Sequence, residues 1–154
     1  MRKDKNKKKL NGFSLFEVIV TMGILMMLSL LVFPVATNRA RKSKLESHAS
    51  QIATDLYYQQ QRADQKNIST GISLGTSSYT LFDGDTLATA TDTDVKSYPT
   101  NILITSITLN GTNEISFPQG EFKPQYYGYF NITDSQNTMR VYINQEGLIW
   151  YEEI

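Results

Sequence analysis

The sequence predicts an α+β protein in which a long N-terminal helix, apolar in its first half and amphipathic in its second, packs on a C-terminal antiparallel sheet. Three observations carry this reading. An apolar run fills Phe13 to Phe33, and apolar residues then recur at helical spacing from Leu45 to Ala63. Beyond Asn67 that period gives way to short runs rich in Ile, Val, Thr, Tyr and Phe, separated by turn dipeptides. The chain divides accordingly into a basic leader, 1–12, an apolar helix, 13–34, an amphipathic helix, 35–66, and a β-rich exterior portion, 67–154.

At 154 residues the chain has room for one folded domain beside its apolar run. Its formal charge is zero, but the charge is unevenly placed. Arg2, Lys3, Lys5, Lys7, Lys8 and Lys9 against Asp4 leave five net positives before Gly12, and the remainder carries five net negatives. The neutral total gives no support for nucleic-acid binding by the whole molecule. With no cysteine, disulfides, thiolate nucleophiles and thiolate metal sites are all excluded. Nine tyrosines, seven phenylalanines and one tryptophan supply the large half-buried surfaces that a helix-on-sheet core needs.

The run Phe13 to Phe33 is twenty-one residues with one charge, Glu17. As a helix it extends about 30 Å, the thickness of a bilayer core. The basic stretch before it predicts a cytoplasmic N-terminus and a translocated exterior portion. An ordinary secretory signal has a shorter apolar core and a small-residue cleavage site, which this run lacks. A carboxylate in hydrocarbon costs roughly 2.5–3.5 kcal/mol, so Glu17 needs a partner or a proton. No basic residue lies within the run. A cut between Gly12 and Phe13 would create the nearest positive charge, a new α-amine in the first turn of the same helix.

Gly12-Phe13-Ser14-Leu15-Phe16-Glu17, after a basic leader and before an apolar run, resembles the signature of type IV prepilins, shared by type IV pilins and by the pseudopilins of type II secretion and competence. Pro34, the twenty-second residue counted from Phe13, falls where that family commonly has a proline. The resemblance implies a pilin-like fold. It implies cleavage after Gly12 by a membrane aspartyl peptidase, the prepilin peptidase, which also methylates the new terminal Phe13. It assigns Glu17 and Pro34 to assembly. The implied partners are other pilin or pseudopilin subunits, an inner-membrane assembly platform and the lipid bilayer. The implied location is the cytoplasmic membrane, then a filament in the periplasm or at the cell surface. Gly12 also suits a protease physically, since it presents a carbonyl without side-chain bulk. Gly23 and Pro34 both weaken a helix, so the segment between them could unwind when subunits pack. Met22, Met26 and Met27 are adaptable packing residues.

After Pro34, Arg39, Arg41, Lys42 and Lys44 place four positives just beyond the apolar run. They suit phosphate groups, acidic neighbours or plain solvation. Leu45, Ala49, Ile52, Leu56 and Ala63 then form one stripe, interrupted at Gln59 and with His48 at its margin, and the helix is expected to continue to about Lys66. From Phe13 to Lys66 such a helix would extend about 80 Å. Strands are expected over Ile72 to Leu74, Tyr79 to Phe82, Ile102 to Leu109, Ile115 to Phe117, Tyr127 to Ile132, Met139 to Ile143 and Leu148 to Tyr151. Gly71 to Phe82 reads as a hairpin. Asn110-Gly111 and Glu146-Gly147 read as tight reversals, the former as a hairpin between two alternating runs. Asp83 to Pro99 reads as a long polar loop. Its carboxylates, Asp83, Asp85, Asp92 and Asp94, do not have the spacing of a twelve-residue calcium loop, and a solvated loop is expected rather than a metal site.

Enzyme chemistry has little to stand on. The lone His48 is accompanied by no nucleophile elbow, glycine-rich phosphate loop or metal-ligand cluster, and no cofactor is expected. The chain therefore reads as a filament subunit, its layout resembling the H-type minor pseudopilins. It lacks the paired C-terminal cysteines of disulfide-looped major pilins. A competence pseudopilin binding DNA and a single-pass membrane-anchored binding module are the alternatives. Lys96, Lys123 and Arg140 are the only basic residues beyond Lys66, too few to argue a DNA groove from charge.

Overall fold

The computed structural model describes residues 13–154, with the side chains of residues 30–36 outside that description. The chain divides into two compact units, Met1–Ala40 and Arg41–Ile154. One helix, α1, is assigned over Leu15–Lys66, and it ends at the residue the spacing predicts. Glu17 in its first turn and Lys66 in its last each sit at the end of the helix dipole that favours their charge. Asn67, just past the end, takes a left-handed φ of 53°, the conformation that commonly terminates a helix and that Asn tolerates.

In the second unit, the stripe Leu45, Ala49, Ile52, Leu56 and Ala63 is buried as expected, every member 1% exposed or less. Gln59, the interruption in that stripe, is buried too. Its backbone carbonyl accepts the Thr70 hydroxyl at 2.8 Å, and its side-chain oxygen accepts from Arg62 at 3.1 Å. A buried amide is tolerated where it is hydrogen-bonded. Gln60 beside it is also buried and donates from Nε2 to the carbonyls of Phe122, at 2.9 Å, and Gly147, at 2.7 Å.

Eight strands follow, in two antiparallel sheets rather than the single sheet expected. They are β1 (Thr70–Leu74), β2 (Ser78–Asp83), β3 (Asp92–Ser97), β4 (Leu103–Leu109), β5 (Glu114–Phe117), β6 (Gly128–Thr133), β7 (Thr138–Ile143) and β8 (Ile149–Glu153). One sheet has the order β3-β2-β1-β5, the other β4-β6-β7-β8. Both contribute to one core with the helix stripe: Ile72, Tyr79, Ile115 and Phe117 from the first, Ile104, Phe130, Ile132, Val141 and Ile143 from the second. The Ile104 amide donates to the Thr76 carbonyl at 2.7 Å and ties the sheets together. On the far face of the first sheet Gly71 stands opposite Phe82, whose ring occupies the space a Cβ on Gly71 would need. An aromatic side chain thus covers the glycine of a central strand.

Two turn expectations hold and one does not. β1 and β2 pair as a hairpin from Thr70↔Asp83 to Leu74↔Tyr79. β7 and β8 pair around Glu146-Gly147, with Gly147 at φ 84°. Asn110-Gly111, however, is not a hairpin turn. β4 pairs with β6 and β5 with β1, so the chain changes sheets there. A two-residue type I′ turn needs positive φ at both central residues, and neither Asn110 nor Gly111 has it. Instead the Asn110 side chain accepts the Tyr127 amide at 2.7 Å, and Gly111 makes room for the Tyr126 ring.

The expected loop Asp83 to Pro99 also contains structure. A 3-10 turn spans Leu87–Thr89, and β3 pairs with β2 from Ser78↔Ser97 to Asp83↔Asp92. Asp-Thr-Asp-Val-Lys-Ser shows no apolar alternation because β3 is an edge strand, almost wholly exposed, held by backbone bonds alone. Charges on such a strand also discourage further pairing.

Replacing Ile52 with Ala empties a fully buried site at the centre of the stripe and is expected to cost about 2–5 kcal/mol. Val95→Ala on the exposed β3 should change stability by less than about 0.5 kcal/mol. Urea unfolding of the detergent-solubilised chain, followed through Trp150, measures both.

Candidate functional site

The apolar segment is built on α1. Phe13 is 82% exposed, Leu15 78% and Phe16 74%, and Met22, Met26 and Met27 are exposed as well. A helix apolar on every side, with none of its large side chains covered by its own chain, is made for an apolar surrounding. Its two hydroxyls are satisfied internally: Thr21 Oγ1 donates to the Val18 carbonyl at 2.9 Å and Ser29 Oγ to the Leu25 carbonyl at 2.8 Å. Such back-bonding removes the polar penalty of a hydroxyl in hydrocarbon. Sequence reasoning passed over both residues, although a hydroxyl three or four residues beyond a helical carbonyl is a readable signal.

Glu17 lies in the first turn of this helix and is exposed. Among the described residues it has no ion-pair or hydrogen-bond partner. Nothing lies within 4 Å of the position a Cβ on Gly23 would take, so the chain itself makes no use of that residue's small size. Pro34 falls within the span of α1, but its side chain lies outside the described residues, and so does Gly12 with the whole leader. Among the described residues no helix is long and apolar enough to cross a membrane. The apolar run continues into 30–33, whose side chains lie outside that description, so the spanning expectation falls partly there.

The other residues singled out from the sequence are dispersed. Arg62 holds Asp83 in a two-pronged contact at 2.7 and 2.6 Å, with its guanidinium 5.6 Å from the Tyr58 ring centre. The hydrogen bond to Asp83 fixes the charged guanidinium more firmly. Asp94 pairs with Lys96 at 2.7 Å. Among the described residues no group of three His, Cys, Asp or Glu could hold a metal ion. The three cations beyond Lys66 are all engaged: Lys96 with Asp94, Lys123 with Glu146 at 2.6 Å, and Arg140 Nε with Asn131 at 2.9 Å. His48 is half-buried at the margin of the stripe, edge-on to Tyr98 with ring centres 5.4 Å apart. Tyr98 in turn leans on Tyr79, whose hydroxyl donates to Asp55 at 2.6 Å, and burial pushes the pKa of both phenols up.

The family described as the prokaryotic N-terminal methylation motif matches residues 7–33. The chain carries a prepilin-type methylation motif. The match covers the end of the leader, Gly12, Phe13, Glu17 and the apolar helix to Phe33, and it agrees with the resemblance to type IV prepilins and pseudopilins. Such a motif marks pilin-type structural subunits that are anchored in the membrane before assembly, and it leaves residues 34–154 unmatched. No curated protein and no solved structure matches the chain.

Burial, and then the charge of Lys44, lower the pKa of His48, so the unfolded chain binds the proton more readily than the folded one. The contribution of neutral His48 is complete above its unfolded pKa near 6.5 and is lost as the pH falls through the lower folded value. Stability should therefore decline on acidification from about pH 7 to below 6. His48→Phe, which keeps a ring against Tyr98, should flatten that stretch of the profile in urea midpoints taken at several pH values.

Proposed function

We propose that the chain is a minor subunit, of pseudopilin type, in a type IV pilus-like filament. The observation that carries this reading is Glu17, one unpaired carboxylate in the first turn of a helix that is otherwise apolar and exposed, placed inside a methylation motif that begins just before Gly12. In this reading the chain inserts with its basic leader in the cytoplasm, and prepilin peptidase cuts between Gly12 and Phe13. Phe13 then carries the new α-amine, methylated but still cationic. Within its own helix Glu17 gains about 0.3–1 kcal/mol from the dipole. Between subunits, the ammonium of one Phe13 pairs with the Glu17 carboxylate of a neighbour and sets the stagger of the helices.

The exposed apolar surface of the first half of α1 serves two surroundings in turn, lipid before assembly and neighbouring helices after it. Met22, Met26 and Met27 adapt to both, and Gly23, with no neighbour of its own, lets another helix approach closely. The segment between Gly23 and Pro34 is where α1 would unwind on packing. The exterior unit gives the subunit its identity within the filament, and the filament serves protein secretion, DNA uptake or a surface pilus.

Two measurements test this. Intact-mass analysis of the chain from its native host should show loss of residues 1–12 and one added methyl group on Phe13; a retained leader would refute the reading. Glu17→Ala should still be cleaved yet enter filaments at a small fraction of the normal amount, scored by shearing and immunoblotting. Assembly at the normal rate would remove the pairing role.

A further inference from the structure

The two sheets present four edges, and three of them are blunted. β3 carries Asp92, Asp94 and Lys96. β4 is broken by a register shift between Thr105 and Thr108, with Ser106 at a left-handed φ of 49°, and its Ile104 amide is already bound to Thr76. β5 has its Ser116 carbonyl taken by the Gln125 amide at 2.8 Å. These are the devices by which proteins protect sheet edges. β8 has none of them.

The pairing of β8 with β7 fixes which of its groups are free. Asn144 donates to the Leu148 carbonyl and Ile154 to the Thr138 carbonyl, so even-numbered residues of β8 face β7. The amides and carbonyls of Ile149, Tyr151 and Glu153 face outward, and no hydrogen bond among the described residues reaches them. Beside this edge runs a groove of about 470 Å³ between β8 and the Ser50, Ala53, Thr54 and Tyr57 face of α1. Three of those four side chains are short, and they leave room for a further strand. Tyr57, Leu148, Trp150 and Ile154 expose apolar surface around it. The charge near the edge is acidic: Glu46, Glu152 and Glu153 face a single cation, Lys42, which is held by Glu153.

We propose that the outer edge of β8 and the adjoining groove bind an extended strand of a partner protein, carrying short or β-branched side chains and basic residues at its ends. Backbone bonds to Ile149, Tyr151 and Glu153 supply affinity, alternate side chains of the strand fill the groove, and the basic ends answer the acidic rim. This inference stands apart from the filament reading, because it concerns the exterior unit alone and requires neither cleavage nor methylation.

The full-length chain in detergent micelles, mixed with the peptide Arg-Val-Ser-Val-Ser-Val-Arg, tests it by amide hydrogen exchange. Exchange at Ile149, Tyr151 and Glu153 should slow by about tenfold or more at saturating peptide. The same peptide with Glu at both ends should bind more weakly. Glu153→Pro removes one outward donor while sparing the ladder to β7, and should weaken binding about tenfold, whereas Glu153→Ala, which keeps the amide, should not. Ala53→Trp fills the groove without touching the edge and should also abolish binding. Near-UV dichroism of Trp150 reports that each variant is folded. Unchanged exchange at the three amides, or equal binding by Glu153→Pro and Glu153→Ala, would overturn the proposal. Protection of the same amides without peptide, rising with protein concentration, would show that a second copy takes the edge and would overturn the assignment to a partner strand. Any of these failures leaves the intact-mass test of processing untouched.

Discussion

One stripe of helix organises the exterior unit. Leu45, Ala49, Ile52, Leu56 and Ala63 are the surface on which both sheets close, and each sheet alone would leave an apolar face in water. The stripe extends over five turns of α1, so strands from distant parts of the chain meet on one continuous support. At Gln59 the stripe carries hydrogen bonds in place of apolar contact, and there Thr70, the first residue of the first strand, is tied back to the helix. The β portion is thereby anchored at the point where it begins.

The same helix is under a different demand upstream. From Phe13 to Leu28 its side chains are exposed and apolar, and the two hydroxyls it carries are folded back on its own carbonyls. What remains polar is the carboxylate of Glu17. A segment that satisfies every group except one ionised side chain has reduced the specificity of its contacts to a single charge. Apolar contacts in lipid or between helices are permissive about register; a lone carboxylate is not.

The sequence made the helical half legible to the residue, because a 3.6 period and a left-handed Asn67 both leave marks in the letters. Seven of the eight strands were also readable from β-branched and aromatic runs. β3 was not, since an edge strand needs only its backbone and so can be written in Asp, Thr and Lys. Division into two sheets was equally hidden. Asn110-Gly111 has the letters of a hairpin, yet the β4–β6 and β1–β5 pairings, set by burial on the helix, outweigh a local turn preference. Of the methylation motif, Phe13 and Glu17 are visible in sequence and structure alike, while the unpaired state of Glu17 emerges only once its surroundings are drawn.

Gln60 offers a last lesson in how a chain without cysteine holds its extremities. Its amide reaches from the helix to two carbonyls on separate loops, Phe122 in one and Gly147 in the other, and a Cβ on Gly147 would lie 2.5 Å from that nitrogen. A side chain at 147 would both spoil the β7–β8 turn and push this clasp open. Unlike a covalent cross-link, the clasp can let go and re-form within the folded state without any redox partner. The terminal hairpin, with its open edge, is therefore fastened by something reversible.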